Sequence, residues 1–493
     1  MIDPRLPVIV GQAQINREDG DNEPIALMSE AVSEALANSG AVDHLRSKVG
    51  SVRVLKGLWS YDDPGRLVAE DLGFGKVQTT LNPIGGNETY DLVNSSAADI
   101  QAGRLDVVVV CGAEAARTSR RLAKLGEMPP KRDEPTGAAP DEVFGKDVVF
   151  EDDLVGSGAY LPVNFYAMAE SALRHARGES VDEHRKRIAD LWARASEIAA
   201  DNPYAATRRA IAGDEVGTTA GSNRMIAAPY TKLMTANIDV DMSAAIVMCS
   251  LGTARAAGIA DSELTFVTCG AGANDSASVT ERWALHQSPA MRIAGRRALE
   301  LADLDVDAID DIDLYSCFPV AVELAQEHLG IDPDRPYTIT GGLTFAGGPF
   351  NSYCLHAVAT ACDRLRAGRS RRSLLSGNGG FFSKHSFTVL SSEPPAAGFH
   401  YDRPQASVDA EPLRPRPKST PSTAEIESYT VTFGRDGEPT KAIVTVLDTD
   451  GSRHWAASKR AEVIEALLGG DRVGASAHLD STADERVEIV QVT

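Results

Sequence analysis

Apolar positions fall along this chain in two rhythms, and each change of rhythm marks a new element. Pro7-Val8-Ile9-Val10 is a short apolar run that reads as a strand, and residues 24–38 carry Ile25, Met28, Val32, Ala35 and Leu36 at helical spacing. Val52-Arg53-Val54-Leu55 predicts a second strand, followed by a helix near 64–72, a strand near 77–81 and a helix from about 87 to 102. Val107-Val108-Val109-Val110-Cys111 is then a continuous apolar run, the pattern of a strand buried on both faces. Strands alternating with helices predict a parallel, layered α/β sheet.

The same order returns over 259–392. A strand is predicted at Phe266-Val267-Thr268-Cys269, a helix at 284–302 and a strand at Ile312-Asp313-Leu314-Tyr315. Helices at 319–329 and about 351–366 precede a strand at Ser373-Leu374-Leu375. Ala102-Gly103-Arg104 and Ala367-Gly368-Arg369 each end a helix and precede a strand. Matched order and matched landmark point to an internal duplication. Residues 116–221 interrupt it with a charged loop, Pro129-Pro130-Lys131-Arg132, and a long amphipathic helix near 181–200. The expected organisation is a first half at 1–115, an insertion at 116–221, a return to the first half at 222–258, a second half at 259–400 and a further domain at 401–493.

Residues 393–422 are rich in Pro, Ser and Ala, as a linker is. Beyond them, strands are predicted at Tyr429-Thr430-Val431-Thr432 and Ala442-Ile443-Val444-Thr445-Val446, with one helix near 455–468 and a final apolar stretch at Val487-Glu488-Ile489-Val490. Short strands with a single helix predict an OB-like barrel.

Composition narrows the function. The 493 residues carry a net charge of -21, which argues against broad binding to nucleic acid or anionic membranes. No apolar run approaches the roughly 20 residues of a spanning helix, and Met1-Ile2-Asp3-Pro4-Arg5 lacks the layout of a signal peptide, so a cytoplasmic protein is expected. The six cysteines include no Cys-x-x-Cys pair, which argues against a zinc ribbon or a disulfide framework. No metal site is expected.

Candidate chemistry lies in five segments: Gly85-Gly86-Asn87, Asn202-Pro203-Tyr204, Tyr315-Ser316-Cys317-Phe318, Gly347-Gly348-Pro349 and Asn378-Gly379-Gly380. In this order, within a duplicated chain, they resemble the thiolase superfamily. The likeness is to its sterol-carrier-protein branch, and within that to the mycobacterial thiolase-like proteins of type 1 with their additional C-terminal domain. The resemblance implies a duplicated five-layered thiolase fold with an inserted loop domain that covers coenzyme A. It also implies coenzyme A or an acyl-CoA as ligand, with no tightly bound cofactor.

The family acylates a cysteine at a helix N-terminus, where backbone N–H groups and the helix dipole lower its pKa. Counted back from the landmark Gly103, that position falls on Gly86, and no cysteine precedes Cys111. The Gly85-Gly86-Asn87-Glu88 turn reads either as a plain helix cap or as backbone donors for a thioester oxygen. The histidine of the family's Gly-His-Pro loop is replaced by Gly348, with Asn351 just beyond it. His356, in the following helix, reads as a partial replacement or as a satisfied helix histidine. Tyr315-Ser316-Cys317-Phe318 matches the branch's His-Asp-Cys-Phe loop. Cys317 is thus an acid/base candidate, with Tyr315 in the histidine's place, or else a buried strand-end thiol. As an acid/base it is expected to be accessible and to react with alkylating agents ahead of the other five thiols. Asn378-Gly379-Gly380 reads as a backbone donor loop for the thioester or as a simple turn. Tyr204, Arg224, Tyr230 and Lys232 are the candidates for holding coenzyme A.

The resemblance therefore implies an acyl-CoA-binding, acetyl-CoA acetyltransferase-like chain in which ordinary thiolysis is doubtful. A retro-aldol or Claisen-type lyase and a non-catalytic CoA-thioester carrier are the rivals. A monomer is favoured over a homodimer, with the additional domain expected to fold over the edge strand at 77–82.

Overall fold

The computed structural model describes residues 2–145, 150–481 and 486–493. The first half runs through β1 (Pro7–Arg17), α1 (Pro24–Asn38), β2 (Val49–Val54), α2 (Pro64–Asp71), β3 (Gln78–Leu81), α3 (Glu88–Gln101) and β4 (Val107–Ala115). Local chemistry explains the boundaries. Glu23 accepts from the Ile25 and Ala26 N–H groups while Pro24 occupies the first turn, so α1 begins there. Ile25, Met28, Val32, Ala35 and Leu36 then form its buried stripe.

The insertion contributes β5 (Glu142–Val143), α4 (Pro162–Ala176) and α5 (Val181–Asp201), the last opened by a Ser180–Glu183 capping box. The chain returns to the first half as β6 (Asp241–Ser250). The second half follows as β7 (Thr265–Asn274), α6 (Pro289–Ala302), β8 (Asp311–Asp313), α7 (Pro319–Leu329), α8 (Tyr353–Arg366), β9 (Arg372–Gly379) and β10 (Lys384–Ser391). Where a helix was expected from 284, α6 starts at Pro289, because Ser288 caps it by accepting from the Met291 N–H.

The strands are not all parallel. β2 pairs β3 and β4 in parallel, and β8 pairs β9 in parallel. β6 runs antiparallel to both β1 and β4, and β10 antiparallel to β9 and β7. A parallel neighbour requires a crossover. β10 instead follows β9 through a tight turn, and β6 re-enters from the insertion. The two half-sheets join where Val8 and Ile9 pair Phe266 and Thr265. α3 and α8 lie between the half-sheets, α1 and α2 cover the outer face of the first, and α6 and α7 that of the second. This is a five-layered α/β/α/β/α thiolase-like fold, with the heads of both central helices meeting the strand ends.

The edge strand β3 is covered by β5, with Thr80 opposite Glu142 and Leu81 opposite Val143. Asp141 fastens this junction by accepting from the Thr79 N–H at 2.8 Å and from Arg66 at 3.0 Å. The strand hydrogen-bonded to this edge thus comes from the insertion, where the additional domain was expected.

That domain is a five-stranded barrel of β11 (Thr423–Phe433), β12 (Pro439–Leu447), β13 (Arg453–Ser458), β14 (Ser476–Ser481) and β15 (Val487–Val492). It closes in the order β11-β12-β13-β15-β14-β11, with β13 and β15 its one parallel pair, which is the OB-like arrangement. The helix expected near 455–468 is confined to α9 (Ala461–Leu468). Residues 453–458 instead pair with β12, because ladder partners and burial override the helix preference of Ala456 and Ala457. Ile443 and Trp455 point out of the barrel into the main core, and Trp455 donates to Thr280 at 2.9 Å. The β12–β13 face, which OB barrels commonly use for ligands, is therefore against the thiolase body. Among the described residues no helix is long and apolar enough to cross a membrane.

Candidate active site

The turn before α3 is clamped by Asn351. Its Oδ1 accepts from the Gly85 N–H at 2.9 Å, its Nδ2 donates to Pro83 O at 3.0 Å, and its carbonyl accepts from Thr89 Oγ1 at 2.9 Å. The Cys354 thiol donates to Gly86 O at 3.1 Å. A Cβ placed on Gly86 would stand 2.5 Å from Tyr315 Oη and closer still to two of its ring carbons. Tyr315 rises from the end of β8, held by a bond from its N–H to Ser376 Oγ at 3.1 Å and an edge-on contact with Tyr353. Its ring occupies the volume in which a side chain at 86 would lie.

Beside Tyr315, the end of β9 approaches the same turn. A Cβ on Gly377 would meet the Gly86 carbonyl at 2.7 Å, so only glycine permits this closeness. Asn378 Nδ2 donates to Tyr166 Oη at 3.0 Å and lies 3.9 Å from Cys317 Sγ, while Tyr166 Oη reaches Gly380 O at 3.3 Å. The Asn87 and Asn378 side-chain carbonyls are both buried, and neither has a hydrogen-bond partner among the described residues. The neighbouring cavity, bounded by Tyr315, Asn378 and His385, is about 10 Å³, close to the volume of one water. Aromatic rings fill the surroundings: Phe318 lies 4.7 Å from Tyr166 and stacks on Tyr230 at 5.4 Å.

Glu88 adds a proton-exchanging group to the head of α3. It is buried, with Lys384 Nζ 3.9 Å away and Asn87 Nδ2 at 3.2 Å. Burial, reinforced by Asp91, pushes its carboxyl up to about 8. In the unfolded chain the group ionises near its ordinary 4.5, so the native state holds the extra proton between these values and stability falls as pH rises through that window. Glu88→Gln should flatten this slope: its loss of Tm between pH 5 and pH 8.5 is expected to be smaller than that of the parent chain. Equal slopes would show that Glu88 ionises normally.

Comparison with known proteins places these features. The family model for the additional C-terminal domain of thiolase-like protein type 1 matches residues 404–484. A solved structure, a monomeric SCP2-thiolase-like protein type 1 from Mycobacterium smegmatis, is 30% identical over 99% of this chain and 100% of its own, with a TM-score of 0.86. The chain belongs to the SCP2-thiolase-like proteins of type 1. An Ltp2–ChsH2(DUF35) aldolase, 18% identical over 79% of this chain and 99% of its own with a TM-score of 0.61, shares the fold. No curated protein sequence matches.

In this type 1 chain the structure gathers Gly86, Asn87, Tyr315, Cys317, Asn351, Asn378, Gly379 and Gly380 into one region. It leaves His356 out. That ring is buried against β1, with Nδ1 on Gln14 Oε1 at 3.0 Å, and burial lowers it to about 3, so it is a neutral core histidine and a weak base. Gly348 is fixed by a bond from its N–H to Asn237 O at 2.8 Å. Cys317 is buried, not accessible, and burial pushes its thiol up to about 12, far from an activated thiolate. Of the coenzyme A candidates, Tyr230 is a core residue donating to Glu170 at 2.5 Å, and Arg224 is bonded to the Met225 and Gly434 carbonyls. Tyr204 is half-buried and Lys232 exposed. Tyr166 and Glu88 were not singled out from sequence. A tyrosine on the apolar face of α4 looks like core, and a glutamate in a first helical turn looks like ordinary dipole compensation.

Proposed function

We propose that this chain binds a CoA thioester and does not pass its acyl group through a covalent intermediate. The observation that carries this reading is the Tyr315 ring lying over Gly86, where acyl transfer needs a nucleophile. No other thiol replaces it: burial raises all six, with Cys111, Cys249, Cys269 and Cys317 at about 12, Cys362 at about 11 and Cys354 well above its ordinary value. Membership of a thiolase-like family supports the thioester as ligand. The buried Asn87 and Asn378 side chains supply polar groups beside the reacting position. The covering of β3 by β5 supports action as a monomer, and six free cysteines fit the reducing cytoplasm.

A lyase reading is favoured by Glu88. In its ionised form, a carboxyl near 8 is a stronger base than an ordinary carboxylate: it can take the proton of a β-hydroxyl as the Cα–Cβ bond breaks and return it to the enolate at Cα, with no acylated residue required.

Calorimetry with acetyl-CoA, together with intact-mass measurement after incubation with acetoacetyl-CoA, tests the proposal. Saturable heat without an added acyl mass is expected. Absence of heat at millimolar ligand would sink thioester binding, and an acylated residue would sink the non-covalent route. The lyase reading further requires that a 3-hydroxyacyl-CoA release a carbonyl product, and that Glu88→Gln stop its release.

A further inference from the structure

The loop between β7 and α6 buries an arginine whose side chain has no hydrogen-bond partner among the described residues. Arg282 is 4% exposed, and its Nε, Nη1 and Nη2 are all buried with no hydrogen-bond partner among the described residues. One face of the guanidinium lies over the Phe165 ring at 5.9 Å, which leaves the N–H edge to be satisfied. An arginine stays protonated, and a buried cation without an acceptor is strongly disfavoured. The surrounding arginines are paired: Arg453 and Arg414 share Glu427, and Arg292 holds Glu411 at 2.6 Å. Asp275 attracts Arg282 through space, yet the bonds its carboxylate accepts come from the Ala290 N–H at 2.9 Å and Ser288 Oγ at 2.5 Å, not from the guanidinium.

Arg282 lines a cavity of about 60 Å³ between this loop and the segment leading to the barrel. Asp275 and Glu411 line it as well, the latter paired with Arg292, while Trp283 and Leu413 are more than half exposed, so the rim that faces solvent is apolar. A charged fork inside an apolar rim selects a ligand of matching polarity. A carboxylate meets a guanidinium with two parallel hydrogen bonds.

We propose that this cavity is a binding site for a small organic carboxylate, its head on the N–H edge of Arg282 and its apolar body against Trp283 and Leu413. The assignment does not rest on the proposed thioester function, although Arg282 acts through space on Tyr166 and His385 at the head of that site. Lowering of Arg282 by burial accords with a cation that lacks an acceptor until such a ligand binds.

Thermal unfolding and calorimetry of the full chain with butyrate, benzoate and inorganic phosphate test the assignment. Butyrate or benzoate is expected to raise Tm, and Arg282→Met to abolish that rise. Without ligand, Arg282→Met is expected to melt at or above the parent chain, since it removes an unpaired buried charge. Arg282→Lys keeps the charge but not the fork, and should bind more weakly. A rise that persists in Arg282→Met, or no response to either carboxylate, would overturn the proposal. So would a response to phosphate alone, or an Arg282→Met chain that melts well below the parent, since the latter would mean the guanidinium is already satisfied within the fold.

Discussion

Gly86→Ala is expected to destabilise the chain by about 1–3 kcal/mol, the usual cost of overpacking a tight site. The added methyl group would overlap the Tyr315 ring. The clash has a definite partner, so the effect should be non-additive: in a Tyr315→Ala background, Gly86→Ala should cost little. Urea unfolding of the two single variants and the double one measures this coupling. A Gly86→Ala chain as stable as its parent would show that Tyr315 swings away freely. The same geometry governs any attempt to place a nucleophile at 86. Gly86→Cys alone should remain unacylated by acetyl-CoA, and acylation, if it can be recovered, should require Tyr315→Ala in the same chain.

Arg453→Met is expected to loosen the barrel from the thiolase body. Arg453 is fully buried, donates to both Glu427 oxygens at 2.5 and 2.6 Å, and reaches the Val279 and Thr280 carbonyls at 2.9 Å each. Removing it leaves Glu427 without its main partner, a change that costs about 3–5 kcal/mol in buried pairs. Arg453 joins the barrel to the body, so a separate, earlier transition reported by Trp455 fluorescence should accompany the loss. Limited proteolysis near 393–422 should quicken as well. Adding Glu427→Gln should return part of the stability by removing the stranded charge. A single transition at the parental midpoint would show that the contact contributes little.

Much of the architecture could be read from local pattern. The helices at 24–38 and 64–71 announce themselves through prolines and caps at their starts, and the helix at 353–366 through its apolar residues alone. The continuous apolar run at 107–111 marks a doubly buried strand, and the repeated Ala-Gly-Arg landmark exposes the duplication. That a glycine stands at 86, where the resemblance implies a nucleophile, is equally legible, because a counted position needs no coordinates to be recognised. These features are encoded within about one element's length, where spacing along the chain and position in space are nearly the same thing.

Tertiary structure decided what lies beyond that range. Strand direction in β6 and β10 depends on how the chain returns to the sheet, which residue spacing does not record. The ring over Gly86 comes from residue 315, the Asn378 partner is Tyr166 of the insertion, and β3 is covered by residues 142–143. His356 and Cys317 illustrate the converse: residue types with catalytic potential became a neutral core histidine and a high-pKa thiol once burial removed the water that would stabilise their charged forms. Sequence by itself determined the duplicated α/β chain, its inserted and C-terminal segments, and the absence of a cysteine at 86. Only the fold decided which side chains fill the space above that glycine and which ionisable groups lie in low dielectric, because both depend on contacts between residues hundreds of positions apart.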